Sequence, residues 1–390
     1  MVGPFRFASL PEIIFRNGGL DLLPALIKLY GRNVILVTGK QSFAGSQKAD
    51  SLFQKLNDEG VKFQAVKISG EPSPEDIDIN VRHLSNERFD CVIGIGGGSV
   101  LDAGKAISAM MYKEESIADY LESVGSMDHP GTKLPYIAVP TTSGTGSEAT
   151  KNAVISRVGK DGFKRSLRHD KIVPDIALID PELTLNCPAD ITAASGMDCF
   201  TQLIESYLSE KSSPYTDALA LEGLKAVKGS LVRCVRNGSN IEARSDMSLA
   251  ALTSGICIAN AGLGVVHGFA SSVGGRYNIP HGIVCGTLMA SANELTVRKL
   301  RETAPDNPAL EKYALMGKLF LDKEGTTEDF LIDAFIDYLR NLTNELHLQR
   351  LGEAGVNEED LAIIAKNTEC KNNPVELTSE ELLEILELSY

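Results

Sequence analysis

Three segments in the second half of the sequence carry side chains that could bind a metal ion. Asp198 and Gln202 are four residues apart in a helical pattern, so their side chains lie on one helical face. His267 and His281 are two of only six histidines, and each is followed by glycine. A carboxylate and two imidazoles can hold a divalent cation and leave one position open, as in catalytic zinc sites. An added amide oxygen would also suit iron(II) or manganese. A lone histidine in an apolar helix is more often a packed core residue, so the prediction depends on the three positions together.

A second chemical feature is a run of glycines in the first half of the chain. Gly96, Gly97, Gly98 and Ser99 follow an apolar run at residues 91–95 and open a helical pattern. Glycines between a strand and a helix let backbone N–H groups approach a phosphate, and the helix N-terminus favours its negative charge. The spacing differs from the usual GxGxxG motif, so the turn predicts a phosphate cradle rather than one particular dinucleotide fold.

The elements around this turn alternate between strand and helix. Strands are predicted at residues 33–38, 62–68, 91–95 and 136–139, and helices at 46–59 and 74–86. Such alternation predicts a parallel sheet with helices on both faces. Ligands of such sheets bind at the carboxyl ends of the strands, where the glycine turn lies.

After about residue 188 the long periodic segments are helical. They include residues 215–234, 241–260, 328–346 and 379–388. We therefore expect an α/β plus all-α chain, in which a Rossmann-like parallel-sheet nucleotide domain (1–185) precedes an all-helical domain for metal and substrate (186–390). The active site would lie in the cleft between them.

Bulk composition narrows the class of protein. The chain has 390 residues, 43% of them hydrophobic, and a net charge of −14, which argues against nucleic-acid and anionic-membrane partners. The seven cysteines are scattered without CxxC pairs, and no apolar segment approaches membrane-spanning length. These features predict a cytoplasmic protein in a reducing compartment.

Six motifs together resemble the iron-containing (group III) alcohol dehydrogenases, within the superfamily of glycerol dehydrogenase and dehydroquinate synthase. They lie at residues 11–19 (PEIIFRNGG), 96–105 (GGGSVLDAGK), 140–148 (PTTSGTGSE), 179–183 (IDPEL), 196–198 (GMD) and 279–282 (IPHG). The resemblance implies a homodimer or larger homo-oligomer. It also implies hydride transfer between NAD(P)(H) and a small alcohol or aldehyde, assisted by Fe(II) or Zn(II), with Asp198, His267 and His281 as catalytic metal ligands.

The resemblance also assigns cofactor contacts to residues of this chain. Gly97, Gly98, Ser99 and Asp102, with the adjoining Gly96, would hold the pyrophosphate. Thr141, Thr142 and Ser147 would line the nicotinamide side, and Lys164 would contact the ribose. Ser73 and Leu183 complete the predicted cofactor contacts.

The sequence departs from the family pattern at three positions. Gln202 stands where relatives have a histidine ligand, and Ser271 replaces a further active-site histidine. Glutamine is a poorer ligand for iron or zinc than imidazole, so Gln202 is expected to be a weak or absent fourth ligand. At Gly39 the aspartate of NAD-preferring relatives is missing, and Lys40 follows, which favours NADP(H).

Two other functions remain open at this point. One is a lyase of the dehydroquinate synthase type, with the same fold, NAD and metal. The other is a cofactor-binding homologue that has lost metal catalysis, as Gln202 and Ser271 suggest. The substrate is not named by the sequence, although Arg276 and Lys151 are candidate partners for an acidic aldehyde.

Overall fold

The first half of the chain supplies all the strands of the structure described here. The computed structural model describes residues 3–40, 43–322 and 326–390. The strands are β1 (Glu12–Phe15), β2 (Asn33–Gly39), β3 (Lys62–Ile68), β4 (Cys91–Gly96), β5 (Tyr136–Pro140), β6 (Asn152–Arg157), β7 (Phe163–Arg168) and β8 (Ile176–Ile179). Six of them form one parallel sheet in the order β1-β8-β5-β4-β2-β3, and β6 pairs with β7 as an antiparallel hairpin.

Four helices accompany the strands and nine follow them. The first group is α1 (Leu23–Lys28), α2 (Gln47–Asp58), α3 (Pro74–Leu84) and α4 (Gly98–Met110). The second group is α5 (Ala189–Leu208), α6 (Pro214–Arg236), α7 (Ile241–Ala261), α8 (Val265–Arg276), α9 (His281–Thr303), α10 (Pro308–Leu321), α11 (Glu328–Glu345), α12 (Leu361–Lys366) and α13 (Ser379–Ser389). These bounds refer to the described part of the chain.

The sheet forms because its central strands are continuous apolar runs. Every residue of β4 and of β5 is buried, as expected for parallel strands covered on both faces. Two hydrophobic clusters, one containing Ile93 and the other Val92, cover the opposite faces of the sheet. The predicted parallel sheet is confirmed: β2, β3, β4 and β5 match the four predicted strands to within one residue, whereas β1 and β8 were not predicted.

The chain crosses the sheet between β3 and β4, which creates a crevice. After β2 and the edge strand β3, the chain returns to place β4 on the other side of β2, and then continues to β5. The connection after β2 leads to one side of the sheet and the connection after β4 leads to the other. Such a divergence opens a crevice between the carboxyl ends of the two strands, where cofactors bind in folds of this kind. Gly39 ends β2 and Gly96 ends β4, so both lie at this crevice.

Long helices build the second half, as predicted from the sequence. The change from strands to helices occurs between the end of β8 at Ile179 and the start of α5 at Ala189. From Gly196 to its end, α5 is buried on all sides, which places it at the centre of the helical half. No single helix of the described chain is long and apolar enough to cross a membrane. Helices α7 and α8 together have the required length and apolar composition, but the chain bends by 98° between them.

Candidate functional site

The glycine turn meets the loop after β5 at the carboxyl edge of the sheet. Gly97 precedes α4 in extended conformation, and the backbone N–H of Thr141 donates to the Gly96 carbonyl at 2.9 Å. A Cβ atom on Gly97 would lie 3.3 Å from Thr142 Oγ1, whereas one on Gly98 would lie only 2.5 Å from Thr145 Cγ2. The structure therefore brings together the predicted pyrophosphate and nicotinamide segments, and Gly98 leaves no room for a side chain.

Asp102 and Ser147, both predicted cofactor contacts, are joined directly. Ser147 Oγ donates to Asp102 Oδ1 at 2.5 Å. Beneath them, Lys105 Nζ donates to the Ser147 carbonyl at 2.8 Å, to Thr150 Oγ1 at 2.8 Å and to the Asn152 carbonyl at 2.7 Å. Burial lowers the pKa of Lys105 to about 8 and raises that of Asp102. Lys105 thus ties α4 to the segment before β6, a role that the sequence analysis missed.

The remaining predicted cofactor residues lie on separate elements. Gly39 is half-buried and the following Lys40 is exposed. Ser73 is the N-cap of α3, where its hydroxyl donates to Asp76 Oδ2 at 2.7 Å. Leu183, in a short helical turn after β8, packs against the sheet core.

Lys164 lies on the β6–β7 hairpin, which the sequence analysis did not predict. Its ammonium forms an ion pair with Glu71, and only 8% of its side chain is exposed. The carboxylate of Glu71 also accepts a hydrogen bond from Ser156 at 2.7 Å. Lys164, the residue predicted to contact the ribose, is therefore paired with the Glu71 carboxylate, which lies in the loop before α3.

Four donor groups converge where α5, α8 and α9 meet. Asp198, His267, His281 and Cys285 each place one potential ligand atom within 4.8 Å of all the others. His267 Nε2 lies 3.3 Å from Asp198 Oδ1, and His281 Nε2 lies 3.7 Å from the same oxygen. Cys285 Sγ lies 3.8 Å from His267 Nε2 and 3.7 Å from His281 Nε2. The structure thus brings together all three predicted ligands and adds a thiol.

These separations fit a tetrahedral ion. Ligand bonds of about 2.0–2.3 Å to such an ion place neighbouring ligand atoms about 3.3–3.8 Å apart. The four distances given above fall in that range. Cys285 was missed by the sequence analysis, although it follows His281 by four residues and so shares its helical face.

Gln202 is buried on the same helix as Asp198, but its amide oxygen has another partner. Ser254 Oγ of α7 donates to Gln202 Oε1 at 2.7 Å. This hydrogen bond engages the atom that would bind a metal, and the weak or absent ligation by Gln202 stays a prediction. Ser271, at the position of the expected histidine, donates to the His267 carbonyl at 2.9 Å and so contacts the backbone of a ligand.

A buried carboxylate orients His267. Glu205 Oε2 lies 2.6 Å from His267 Nδ1, and Glu205 Oε1 accepts from the Val266 backbone N–H at 2.6 Å. A partner on Nδ1 leaves Nε2 directed at the cluster, an arrangement common for metal-binding histidines. Glu205 was also missed, although it follows Asp198 by seven residues, two turns along α5.

The buried groups of the cluster shift one another's pKa values. Burial opposes ionisation of Asp198, but the neighbouring His281 and His267 lower its pKa below the usual value. Burial and the ammonium of Lys164 lower the pKa of His281 to about 3, whereas Asp198 acts in the opposite direction. Burial opposes the charged form of His267, but Cys285, Glu205 and the hydrogen bond to Asp198 raise its pKa. His281 Nδ1 is buried and has no hydrogen-bond partner among the described atoms.

The two cations proposed for an acidic aldehyde are both engaged in ion pairs. Arg276 lies 2.5 Å from Asp360, and Lys151 lies 2.7 Å from Asp170. Neither side chain is therefore a free partner for a substrate, and the contact with Asp360 gives Arg276 a structural role.

Comparison with known proteins covers nearly the whole chain. Residues 11–181 match the family "Iron-containing alcohol dehydrogenase", and residues 192–390 match "Fe-containing alcohol dehydrogenase family, C-terminal". Long-chain-alcohol dehydrogenase 1 of Geobacillus thermodenitrificans is 36% identical over 68% of this chain and 67% of its own length. The NAD-dependent methanol dehydrogenase of Bacillus methanolicus is 29% identical over 96% and 97% of the two chains. The crystal structure of an archaeal halo-thermophilic alcohol dehydrogenase from a Red Sea brine pool superposes with a TM-score of 0.90 at 27% identity, covering 100% of both chains.

Proposed function

The chain belongs to the iron-containing alcohol dehydrogenase family, and we propose that it transfers a hydride between NAD(P)(H) and a small alcohol or aldehyde. In the reducing direction, the carbonyl carbon receives the hydride from the nicotinamide ring and the carbonyl oxygen receives a proton. The observation that carries this proposal is the convergence of Asp198, His267, His281 and Cys285. A divalent ion held by these groups would polarise a carbonyl oxygen as a Lewis acid.

The four donor groups are suited to hold one divalent metal ion. A bound ion supplies Lewis-acid polarisation of the substrate oxygen and lowers the pKa of an alcohol. Asp198 supplies negative charge, and Glu205 fixes the ring of His267 through its Nδ1 atom. The thiol of Cys285 favours zinc over harder cations, since thiolates are soft ligands. We therefore propose Zn(II) beside Fe(II) as a metal of this site.

The glycine turn is proposed to hold the pyrophosphate of the cofactor. Gly97 and Gly98 expose the first N–H groups of α4, and Thr142 and Thr145 lie against them. Lys105 and Asp102 keep α4 and the Ser147 segment together, which positions both walls of the cofactor crevice. At Gly39 this chain lacks the aspartate of NAD-preferring relatives, whose carboxylate would repel a 2′-phosphate. We therefore propose that NADP(H) is accepted and preferred.

The two alternatives are less well supported. The relatives found by comparison are alcohol dehydrogenases, which does not favour a lyase of the dehydroquinate synthase type. A homologue without metal catalysis would not need Asp198 and two histidines at ligand distances. The departure at Gln202 replaces one family ligand, but the other three predicted ligands remain together in the cluster.

Assembly and location are also proposals. β1 lies at the edge of the sheet, and Ile13 and Phe15 on it are each 37% exposed. Pairing of this edge with a second copy would cover both side chains, so we propose a homo-oligomer, which sedimentation would reveal. All seven cysteines are free, in agreement with the proposed reducing cytoplasm.

The test is an assay of NADH and NADPH oxidation with a panel of aldehydes. The protein is stripped of metal and then supplied with Zn(II), Fe(II) or Mn(II). We expect metal-dependent turnover that Asp198→Asn and His281→Ala nearly abolish. Lys62→Met, at an exposed position on β3, serves as a control for handling of the protein. Full activity of the stripped protein and of His281→Ala would refute the metal-assisted reaction.

A further inference from the structure

A positively charged cavity lies beside the helix that carries His267. It has a volume of about 460 Å³, within the range of about 300–1,000 Å³ typical of small-molecule sites. Six cationic side chains line it: Lys160, Lys164, Arg165, Arg276, Lys366 and Lys371. Among the described residues that line it, Glu369 is the single carboxylate. This positive lining contrasts with the net charge of −14 of the whole chain.

Most of these cations are not neutralised. Lys164 is paired with Glu71, and Arg276 with Asp360. None of the other four forms an ion pair with a carboxylate in the described ranges. An unpaired cluster of cations in a concave site raises the local concentration of anions and favours their binding.

Lys371 connects the cavity to the metal-binding cluster. Its ammonium donates to the His267 carbonyl at 2.9 Å and lies 3.4 Å from Ser271 Oγ. Ser271 lies one helical turn after His267 and also lines the cavity. Lys371 therefore joins the cavity to the backbone of a residue whose side chain belongs to the cluster.

The backbone at Lys371 is strained. Its φ angle is +54°, in the left-handed region that residues other than glycine rarely adopt. Such strain persists where the surrounding structure imposes it, and it is concentrated at ligand-binding sites. In this left-handed conformation, the ammonium of Lys371 points at Ser271 and at the His267 carbonyl.

We propose that this cavity binds the anionic end of the substrate, so that the enzyme prefers short aldehydes carrying a carboxylate or similar oxyanion a few bonds from the carbonyl. This inference depends on the proposed function. Lys371 and Ser271 hold the oxyanion, and the carbonyl end extends towards Asp198, His267 and His281.

The experiment compares 4-oxobutanoate with its methyl ester, which has the same aldehyde but no charge. We expect kcat/KM to be about tenfold or more higher for the acid, because a charge-assisted hydrogen bond is lost in the ester. Lys371→Met should lower kcat/KM for the acid about tenfold, mainly through KM, and should affect the ester less. Lys366→Met, which removes a second cation of the cavity, should act in the same direction.

A control variant and a binding measurement complete the test. Lys62→Met removes the same charge from an exposed position on β3 and should leave the preference for the acid unchanged. Calorimetric titration with succinate, which cannot be reduced, should show binding that Lys371→Met weakens. The titration is repeated with saturating NADP⁺, and displacement of succinate would assign the cavity to cofactor phosphates and overturn the proposal.

The outcomes separate this inference from the proposed function. If the ester is reduced as well as the acid and succinate does not bind, the anion site is wrong and the dehydrogenase activity stands. If neither aldehyde is reduced, the proposed function fails, and the succinate titration still decides whether the cavity binds anions. Equal losses for acid and ester in Lys371→Met would also overturn the anion site.

Discussion

Individual residues of the cluster depend on partners that do not contact the metal position. Glu205 lies 2.6 Å from His267 Nδ1 and is itself held by the Val266 N–H. Such partners keep the imidazole oriented and increase its basicity, so their loss commonly weakens metal binding. His267 is therefore positioned by α5 as well as by α8.

Glu205→Gln should weaken metal affinity about 10- to 100-fold, because the neutral amide keeps the shape but not the charge of the partner. Competition with a chromogenic chelator measures the change. Glu210→Gln, an exposed position just after α5, is the matched control and should bind metal as the natural protein does. Unaltered affinity in Glu205→Gln would show that the carboxylate does not support the site.

We expect a single residue, Gly39, to influence the preference for NADP(H) over NAD(H). Gly39→Asp should reduce affinity for NADP(H) more than for NAD(H), by roughly tenfold in their ratio, because the carboxylate repels a 2′-phosphate. Fluorescence titration with NADPH and NADH measures both affinities. Gly229→Asp adds the same charge at an exposed position of α6 as a control. Equal effects on the two cofactors would place the preference elsewhere.

At the scale of elements, the sequence predicted strongly patterned segments and missed weakly patterned ones. β2, β4 and β5 are buried apolar runs, so their positions could be inferred directly. The hairpin of β6 and β7 was not predicted, because neither strand alternates strictly between apolar and polar residues, although Gly159, Asp161 and Gly162 between them are typical turn residues. Its exposed face explains the mixed pattern.

The residues of the candidate site likewise divide into those that a local sequence pattern could predict and those that it could not. The glycine turn and the ligands Asp198, His267 and His281 stand in recognisable segments. Lys371 could not be inferred, because it reaches Ser271 from a residue 100 positions away in sequence. Contacts of that kind depend on the packing of the helices and have no local pattern.

The turn between β4 and α4 makes a specific prediction about an element. Gly98→Val should prevent cofactor binding, because its Cβ would lie 2.5 Å from Thr145 Cγ2 and displace the loop that faces the turn. Equilibrium dialysis with NAD(P)H measures binding, and circular dichroism checks that the fold persists. Gly229→Val, at an exposed position with no atom within 4 Å of the added Cβ, is the control. Unchanged cofactor affinity in Gly98→Val would refute the pyrophosphate assignment.

The whole molecule depends on a close contact between its two halves. The loop that follows β5 packs on α7 backbone to backbone, because Gly146 and Gly255 lack side chains at the contact. A small hydrophobic cluster continues this contact, with Ala177 and Ile179 of β8 against Leu252 of α7. The segment that faces the glycine turn therefore rests on the helical half.

Gly255→Ala tests whether this contact couples stability to cofactor binding. A Cβ at Gly255 would lie 2.1 Å from the Gly146 carbonyl oxygen, so the loop and α7 must separate. Overpacking of this kind typically costs about 1–3 kcal/mol, and the loop carrying Thr142 and Thr145 would shift with Gly146. We therefore expect a lower unfolding midpoint in urea together with weaker NAD(P)H binding.

The matched control for this variant is Gly229→Ala, which adds the same methyl group to an exposed helical position with open space around it. Alanine is favoured over glycine in helices by about 1 kcal/mol, so this control should be as stable as the natural protein or more so. If Gly255→Ala unfolds at the same urea concentration as the natural protein, the contact is not tight. If it is destabilised but binds cofactor normally, the two halves are not coupled through this loop.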